Sequence, residues 1–265
     1  MTRARYDAHF AADPYYNMAF DEWLLCRALA EPASIFVRLY TWRVGAITFG
    51  FNQNERTALD FSRLDGTPVI RRVTGGRAVF HDPSELTYAV AVNREGLAHA
   101  SLSGSLSQTC RAIAGALQDF LDRVGVVSEY VHVSTPGQGR REFFNKAPCF
   151  ASAARHELVA AGRKVVASAQ RRIGPALLQH GSIKMGGVAV HPALHGPADS
   201  PQNPLPLTGR EFAAWSEDFA ATLAGSLGID IEPDALSSHD VRQVAARVEY
   251  LKKNSCAKRQ IVKRL

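Results

Sequence analysis

The chain has 265 residues, 46% of them hydrophobic, and a net charge of +6. That length and composition suit one large domain with a sizeable core, and no stretch approaches the roughly 18 apolar residues of a membrane span. Cys26, Cys110, Cys149 and Cys256 are scattered without a C-x-x-C pair, so neither a zinc site nor a disulfide framework is indicated, and reduced thiols in the cytoplasm fit best.

The first residues, Met1 to Asp7, carry no apolar run, so no signal peptide is expected. Asp13-Pro14 can cap and start a helix, with Asn17 as an alternative cap and Met18, Trp23, Leu24 and Leu25 forming its apolar face. Short apolar or alternating segments at 34–40, 44–49, 68–73 and 86–92 are bounded by Gly, Asn, Asp and Pro and read as antiparallel strands. Between the third and fourth lies Arg71-Arg72-Val73-Thr74-Gly75-Gly76-Arg77, followed by a further strand-like run, Ala78-Val79-Phe80. A Gly-Gly pair between strands is an ordinary hairpin signal. Its bare N–H groups can also form an anion-binding concavity, to which Arg72 and Arg77 would add charge-assisted donors.

Leu106, Cys110, Ile113, Leu117, Phe120 and Leu121 recur at helical spacing and predict a helix over 103–124. Residues 134–139, Ser-Thr-Pro-Gly-Gln-Gly, read as a loop. Segments 157–160 and 164–169 flank Ala161-Gly162-Arg163 and predict a hairpin, with another strand over 177–185. Five prolines mark 191–208 as a surface connection. Thr208 and Glu211 have capping-box spacing ahead of a helical pattern from Phe212 to Leu227, and a last helix is expected over 238–252. Helices and strands mix without βαβ alternation, so the class is α+β, read as one catalytic domain over 1–250 with a basic tail over 251–265.

Cys26 and Cys110 fall inside helical patterns and read as buried small hydrophobes. Cys149 follows a Gly/Pro-rich loop and a proline, near Arg140, Arg141 and Lys146, cations that favour a thiolate. Lys164 stands beside a tight turn and ahead of Val165-Val166-Ala167; a partly desolvated ammonium there could polarise a carbonyl. His81 and His180 could bond an acyl carbonyl or satisfy backbone groups, and neither has a partner at metal-ligand spacing. Asp82 and Glu85 read as a turn or cap. Basic residues are not interleaved with aromatics, so no nucleic-acid partner is expected.

The run Arg71 to Asp82 resembles a segment, R-R-x-[ST]-G-G-[GR]-A-V-x-H-D, of the superfamily that holds lipoate–protein ligases, octanoyltransferases and biotin–protein ligases. Further resemblances follow in order: Asn17 to Glu22, Arg38 to Trp42, Ile47 to Gln53, Gly162 to Arg172 and Leu178 to Ile183. The resemblance spans about residues 13–190 and implies a class II biotin/lipoate ligase-like catalytic domain, mostly antiparallel sheet flanked by helices. Cys149-Phe150 matches the catalytic Cys-Phe of one octanoyltransferase branch. The resemblance therefore implies Cys149 and Lys164 as catalytic residues. Arg72, Thr74, Gly75, Gly76, Arg77, Ala78, His81, Ser168 and His180 are the implied substrate contacts.

Two departures stand out: Arg77 where many ligases have glycine, and Ala167 where many relatives have glycine after the lysine. The implied reaction takes octanoyl from acyl carrier protein, through a Cys149 thioester, to the lysine of a lipoyl domain or glycine-cleavage carrier protein, with no metal or ATP. An ATP- and Mg-dependent lipoate ligase working through an adenylate, and an amidotransferase between carrier proteins, are alternatives, as is a catalytically silent carrier-binding protein. The acyl pocket is expected to be an apolar tunnel walled by Trp42, Phe49, Val73, Val79 and Leu178 or their neighbours, with charge only at its mouth, from Arg72 and Lys164.

Overall fold

The computed structural model describes residues 2–130, 158–184, 189–194 and 207–254. Strands β1 (Thr2–Ala12), β2 (Ile35–Trp42), β6 (Leu86–Asn93), β7 (Glu129–Tyr130), β8 (Leu158–Ala160), β9 (Arg163–Ile173), β10 (Ala176–Ile183) and β11 (Ile229–Pro233) form one sheet in the order β11-β1-β2-β6-β10-β9-β8-β7. Strands β3 (Ala46–Phe49), β4 (Val69–Arg71) and β5 (Val79–His81) form a second sheet in the order β4-β3-β5. The helices are α1 (Pro14–Ala30), the short α2 (Glu55–Ala58) and α3 (Ala100–Ser103), α4 (Leu106–Arg123), α5 (Gly209–Leu227) and α6 (Ser238–Lys253). The α+β class and the mostly antiparallel sheet flanked by helices stand as the sequence implied.

Helix starts follow local chemistry. Asp13 Oδ1 accepts from the backbone N–H groups of Tyr15 and Tyr16, and Pro14 opens α1, where its missing N–H costs nothing. Reciprocal capping boxes join Ser105 to Gln108, Thr208 to Glu211 and Ser237 to Asp240 at the starts of α4, α5 and α6. The last helix runs through residue 250 to Lys253.

The central strands β2, β6 and β10 are buried along their whole length. One face of the large sheet packs on α4 and α5 through Val37, Tyr88, Val90, Phe120 and Phe219. The other packs on α1 and α6 through Phe36, Ala89, Leu178, Phe20 and Val244. The small sheet has its own core of Ile47, Phe49, Val69 and Ala78.

Two sequence expectations are corrected here, and one strand is added. Strands β4 and β5 do not pair with one another; β3 lies between them, parallel to β4 and antiparallel to β5. The Gly75-Gly76 segment is therefore a connection across a strand and not a hairpin turn. Strand β1, which the sequence reading left unassigned, pairs in parallel with β2 and β11. Cys110 is buried, but Cys26 is exposed.

Candidate active site

A cleft enclosing about 410 Å³ of empty space, open solvent at its mouth included, lies where the small sheet meets the α1 face of the large one. Met18 comes from α1, Tyr40 from β2 and Thr87 from β6. Strands β9 and β10 contribute Ala167, Ser168, Ala169, His180, Gly181 and Ser182. The small sheet and its loop supply Thr48, Arg72, Gly76, Val79 and His81. Many of these residues are polar, yet the surface they turn to the cleft is largely apolar. Their hydrogen-bonding atoms are taken up by one another or by partners behind the wall, as Ser168 is by Tyr88 and Tyr40 by Asp21, which leaves methyls and ring carbons on the wall.

The loop 72–77 is tied down from inside. Arg72 donates from Nε and Nη2 to the Gly75 carbonyl at 3.1 and 2.7 Å, and from Nη2 to the Arg77 carbonyl at 2.8 Å. It is almost fully buried, so these charge-assisted bonds act without competing water. Gly76 has φ +91, a left-handed conformation that favours glycine. The turn after β3 presses on the same loop: a Cβ on Gly50 would lie 2.1 Å from the Gly76 carbonyl oxygen, and the Phe51 N–H donates to the Thr74 carbonyl at 2.8 Å.

Two carboxylate–imidazole–hydroxyl relays flank the cleft. In the first, Asp21 Oδ2 is 2.7 Å from His180 Nδ1, and His180 Nε2 is 2.6 Å from Thr74 Oγ1. Asp21 also accepts from Tyr40 Oη at 2.7 Å and from Arg38 Nη1 at 2.9 Å. Burial pushes its pKa up, but the His180 hydrogen bond and the Arg38 charge outweigh that and hold it below the usual carboxylate range. In the second relay, Glu85 Oε1 is 2.7 Å from His81 Nδ1, and His81 Nε2 is 2.7 Å from Thr48 Oγ1. Thr48 also accepts from Arg72 Nη1 at 3.2 Å. Trp42 stacks on His81 with ring centroids 4.1 Å apart. Burial lowers the His81 pKa against the opposing pull of Glu85.

Behind this relay, Lys184 pairs with Glu85 and, at 2.9 Å, with Asp82. Asp82 does form a turn, its Oδ1 accepting from the Ser84 N–H at 2.9 Å. Glu85 is a different case: it is fully buried and anchors His81 and Lys184, which corrects its reading as a cap.

Of the residues the sequence singled out, Arg72, Gly76, His81, Ser168 and His180 line the cleft. Thr74 and Gly75 lie one bond behind it, Arg77 meets Arg72 through its carbonyl, and Ala78 is buried in the small sheet's core. Ser168 bonds Tyr88 Oη at 2.7 Å. Lys164 is buried but is not among the lining residues. Val159 pairs with Lys164 and Leu158 with Val166, so Val165 is an extra residue in β9. Val165 and Val166 both pack toward the α4/α5 core, and a bulge of this kind re-aims its neighbour. Lys164 is thereby turned to the face that carries Ala167 and Ala169.

Cys149 lies outside the described residues. Of the expected tunnel walls only Val79 lines the cleft; Trp42, Leu178 and Val73 belong to the α1/α6 core and Phe49 to that of the small sheet. Arg72 lines the buried wall itself. Sequence reasoning gave Asp21 and Thr48 no individual role and read Glu85 only as a turn or cap. The signal for Asp21 was present: Asn17 and Asp21 are polar residues four apart on the buried face of α1, and both bond Arg38.

Residues 13–188 match the family described as the lipoyl protein ligase A/B catalytic domain. The chain belongs to that family. Among curated relatives, it is 31% identical over 238 residues to octanoyltransferase LipM of Kyrpidia tusciae, covering 88% of this chain and 84% of the relative. It is 35% identical over 174 residues to octanoyltransferase LipM of Moorella thermoacetica, covering 65% of this chain and 61% of the relative. The octanoyltransferase LipM of Bacillus subtilis is 34% identical over 177 residues, 65% of this chain and 62% of that one. Among solved structures, a lipoate-protein ligase A bound with ATP superposes with a TM-score of 0.68 at 15% identity, covering 93% of this chain and 94% of that one. A bipartite lipoate protein ligase from Thermoplasma acidophilum, studied with its E2 lipoyl domain, gives 0.63 at 15% identity, covering 94% and 93%. At such identities the structural likeness establishes the fold.

Proposed function

We propose that this protein is an octanoyltransferase acting on carrier proteins through a Cys149 thioester. The observation that carries the reading is the apolar-walled cleft beside the braced Gly75-Gly76 loop, in a chain aligned along 88% of its length with an octanoyltransferase. The Cys149 thiolate attacks the carbonyl carbon of octanoyl carried as a thioester on acyl carrier protein. The carbon–sulfur bond to the carrier breaks, and the carrier thiolate leaves and takes up a proton. The neutral amine of an acceptor lysine, on a lipoyl domain or a glycine-cleavage carrier protein, then attacks the enzyme thioester. An amide forms, the Cys149 sulfur leaves, and the amine's proton is released. A thiol suits both halves because it forms and leaves thioesters readily.

In this reading Lys164 orients the carbonyl and supports its developing negative charge, while Arg72 acts by shaping the loop. Neither ATP nor a metal ion enters the route. Support for Cys149 is its setting, after a proline and near three cations in sequence.

The test is intact-mass analysis of a carrier domain incubated with enzyme and either octanoyl-acyl carrier protein or octanoate plus ATP. Modification is expected with the first donor. Cys149→Ala should abolish transfer and leave no thioester-linked octanoyl on the enzyme, and Lys164→Ala should lose roughly two to three orders of magnitude in rate, as when an oxyanion-stabilising donor is removed. Modification only with octanoate plus ATP, surviving Cys149→Ala, would instead identify an adenylate-forming ligase.

A further inference from the structure

The geometry points to His180 as a positioning residue: through Thr74 it fixes the Gly75-Gly76 loop in its reactive arrangement, and Asp21 on α1 orients it for that task. The inference rests on the transferase reading for its kinetic arm only.

His180 lines the cleft, which invites a direct role on substrate. Its ring nitrogens are both engaged elsewhere, however, with Asp21 and with Thr74. An ionised Asp21 can only accept, so Nδ1 carries a proton and turns Nε2 to the Thr74 hydroxyl. The ring therefore meets an acyl chain with carbon. Its polar reach goes to Thr74, the residue immediately before the two glycines. Thr74 is fully buried, so its hydroxyl has no water to fall back on, and breaking the link leaves an unsatisfied group.

The loop is thus held from three sides. Arg72 binds the carbonyls of Gly75 and Arg77, the Phe51 N–H binds the Thr74 carbonyl, and the Thr74 side chain reaches His180. The first two anchors come from the small sheet. The third runs beside the cleft to β10 and, through Asp21, to α1, so it ties the loop to the large sheet and its helix. A relay joining the loop to the strand that lines the cleft fixes the loop's position relative to that wall. Tyr40 and Arg38 complete the support by fixing both oxygens of Asp21.

The test compares Thr74→Val, which keeps the side-chain shape and removes the hydroxyl, with Thr74→Ser, which keeps the hydroxyl. With octanoyl-acyl carrier protein as donor, Thr74→Val should lower kcat roughly ten- to hundredfold, the scale of loss for a reactive group displaced by about an ångström, with KM within about twofold of wild type. Thr74→Ser should restore kcat. Amide hydrogen exchange at Gly75, Gly76 and Arg77 should be faster in Thr74→Val and near wild type in Thr74→Ser. The double variant Thr74→Val/His180→Ala should be no worse than His180→Ala, since both break one link.

Wild-type kcat in Thr74→Val, an effect confined to KM, or additive losses in the double variant would overturn the assignment. If the wild-type protein does not transfer octanoyl, the transferase reading fails and the exchange measurement decides by itself. Unchanged exchange in Thr74→Val would then reject the relay, and faster exchange reversed by serine would uphold it.

Discussion

Two carboxylates in this chain respond to burial with opposite outcomes, and their partners decide which. Glu85 is fully buried, which alone would raise its pKa, but His81 and Lys184 bring it down to about 2. Its folded pKa lies below the unfolded value, so its stabilisation is present above about pH 4.5 and is lost as pH falls toward 2. His81, whose pKa burial lowers, adds to the same trend, because the unfolded chain takes up its proton first, near pH 6.5. The contribution of these two groups to the thermal midpoint should therefore fall on acidification from about pH 6.5. Glu85→Gln should lower it at pH 7 and flatten the slope between pH 4.5 and 2 in circular-dichroism melts; an undiminished slope would show that the pairing carries no weight. Asp7 behaves the other way. Burial, opposed by Arg38 and assisted by Asp234, raises its pKa to about 6, and its Oδ2 meets no donor among the described residues. The folded state there binds the extra proton, so stability is lost as pH rises from about 4 toward 6. Asp7→Asn should raise the melting midpoint at pH 7.5, and the gain should vanish below pH 4. Neither behaviour was legible in the sequence. Glu85 stands four residues after a histidine in a turn-like segment, and nothing local announces that Lys184, 99 residues on, will close over it.

Elements built from strong local signals matched their sequence readings closely. Helix α5 begins at its capping box and ends at Gly228, whose φ of +64 is the left-handed cap expected of glycine. The turn between β8 and β9 falls at Ala161-Gly162, both with positive φ. Elements defined by distant partners were not readable. Strand β1 alternates charged and small residues and gains its place by pairing with residues 229–233 and 36–42. The order of β3, β4 and β5 depends on one strand inserting between two others, which a Gly-Gly signal cannot encode. Glycines in these elements differ sharply in what they tolerate. A Cβ at Gly181 would lie 2.4 Å from the Ala167 carbonyl oxygen and 2.8 Å from Tyr88 Cε1. Gly181→Ala must therefore part β10 from β9, and overpacking of this kind costs about 1–3 kcal/mol, readable in urea unfolding. Gly75 offers the contrast, since a Cβ there meets nothing within 4 Å and its φ is not positive. Gly75→Ala should unfold within about 0.5 kcal/mol of wild type, the usual range for a substitution that disturbs no packed feature. Equal destabilisation by the two alanines would contradict the packing described.

At the scale of the whole molecule, the cleft exists because two sheets with separate cores meet over one face of the larger. The motif segments at 17–22, 38–42, 47–53, 71–82, 162–172 and 178–183 all reach this junction, which is why their order along the chain foretold the fold. Which side chains would wall the cleft was less legible, because alternation along a strand tells the two faces apart but not which face a second sheet will cover. Trp42 and Leu178 fill the core behind the cleft, while the wall falls to Met18, Tyr40, Val79, Ala167 and Ala169. The wall's apolar surface makes a quantitative prediction for the proposed acyl transfer. Each methylene withdrawn from water into such a wall contributes about 0.8 kcal/mol, so four methylenes separate butanoyl from octanoyl donors by about 3 kcal/mol. With about 1.4 kcal/mol per factor of ten, kcat/KM should fall roughly two hundredfold from the eight-carbon to the four-carbon thioester. Ala167 and Met18, facing the cleft from different layers, should set the room available. Ala167→Leu should cut activity more steeply for octanoyl than for butanoyl, because the longer chain needs the space the new side chain takes. Measured kcat/KM values that do not change between four and eight carbons would show that the acyl group does not enter this cleft.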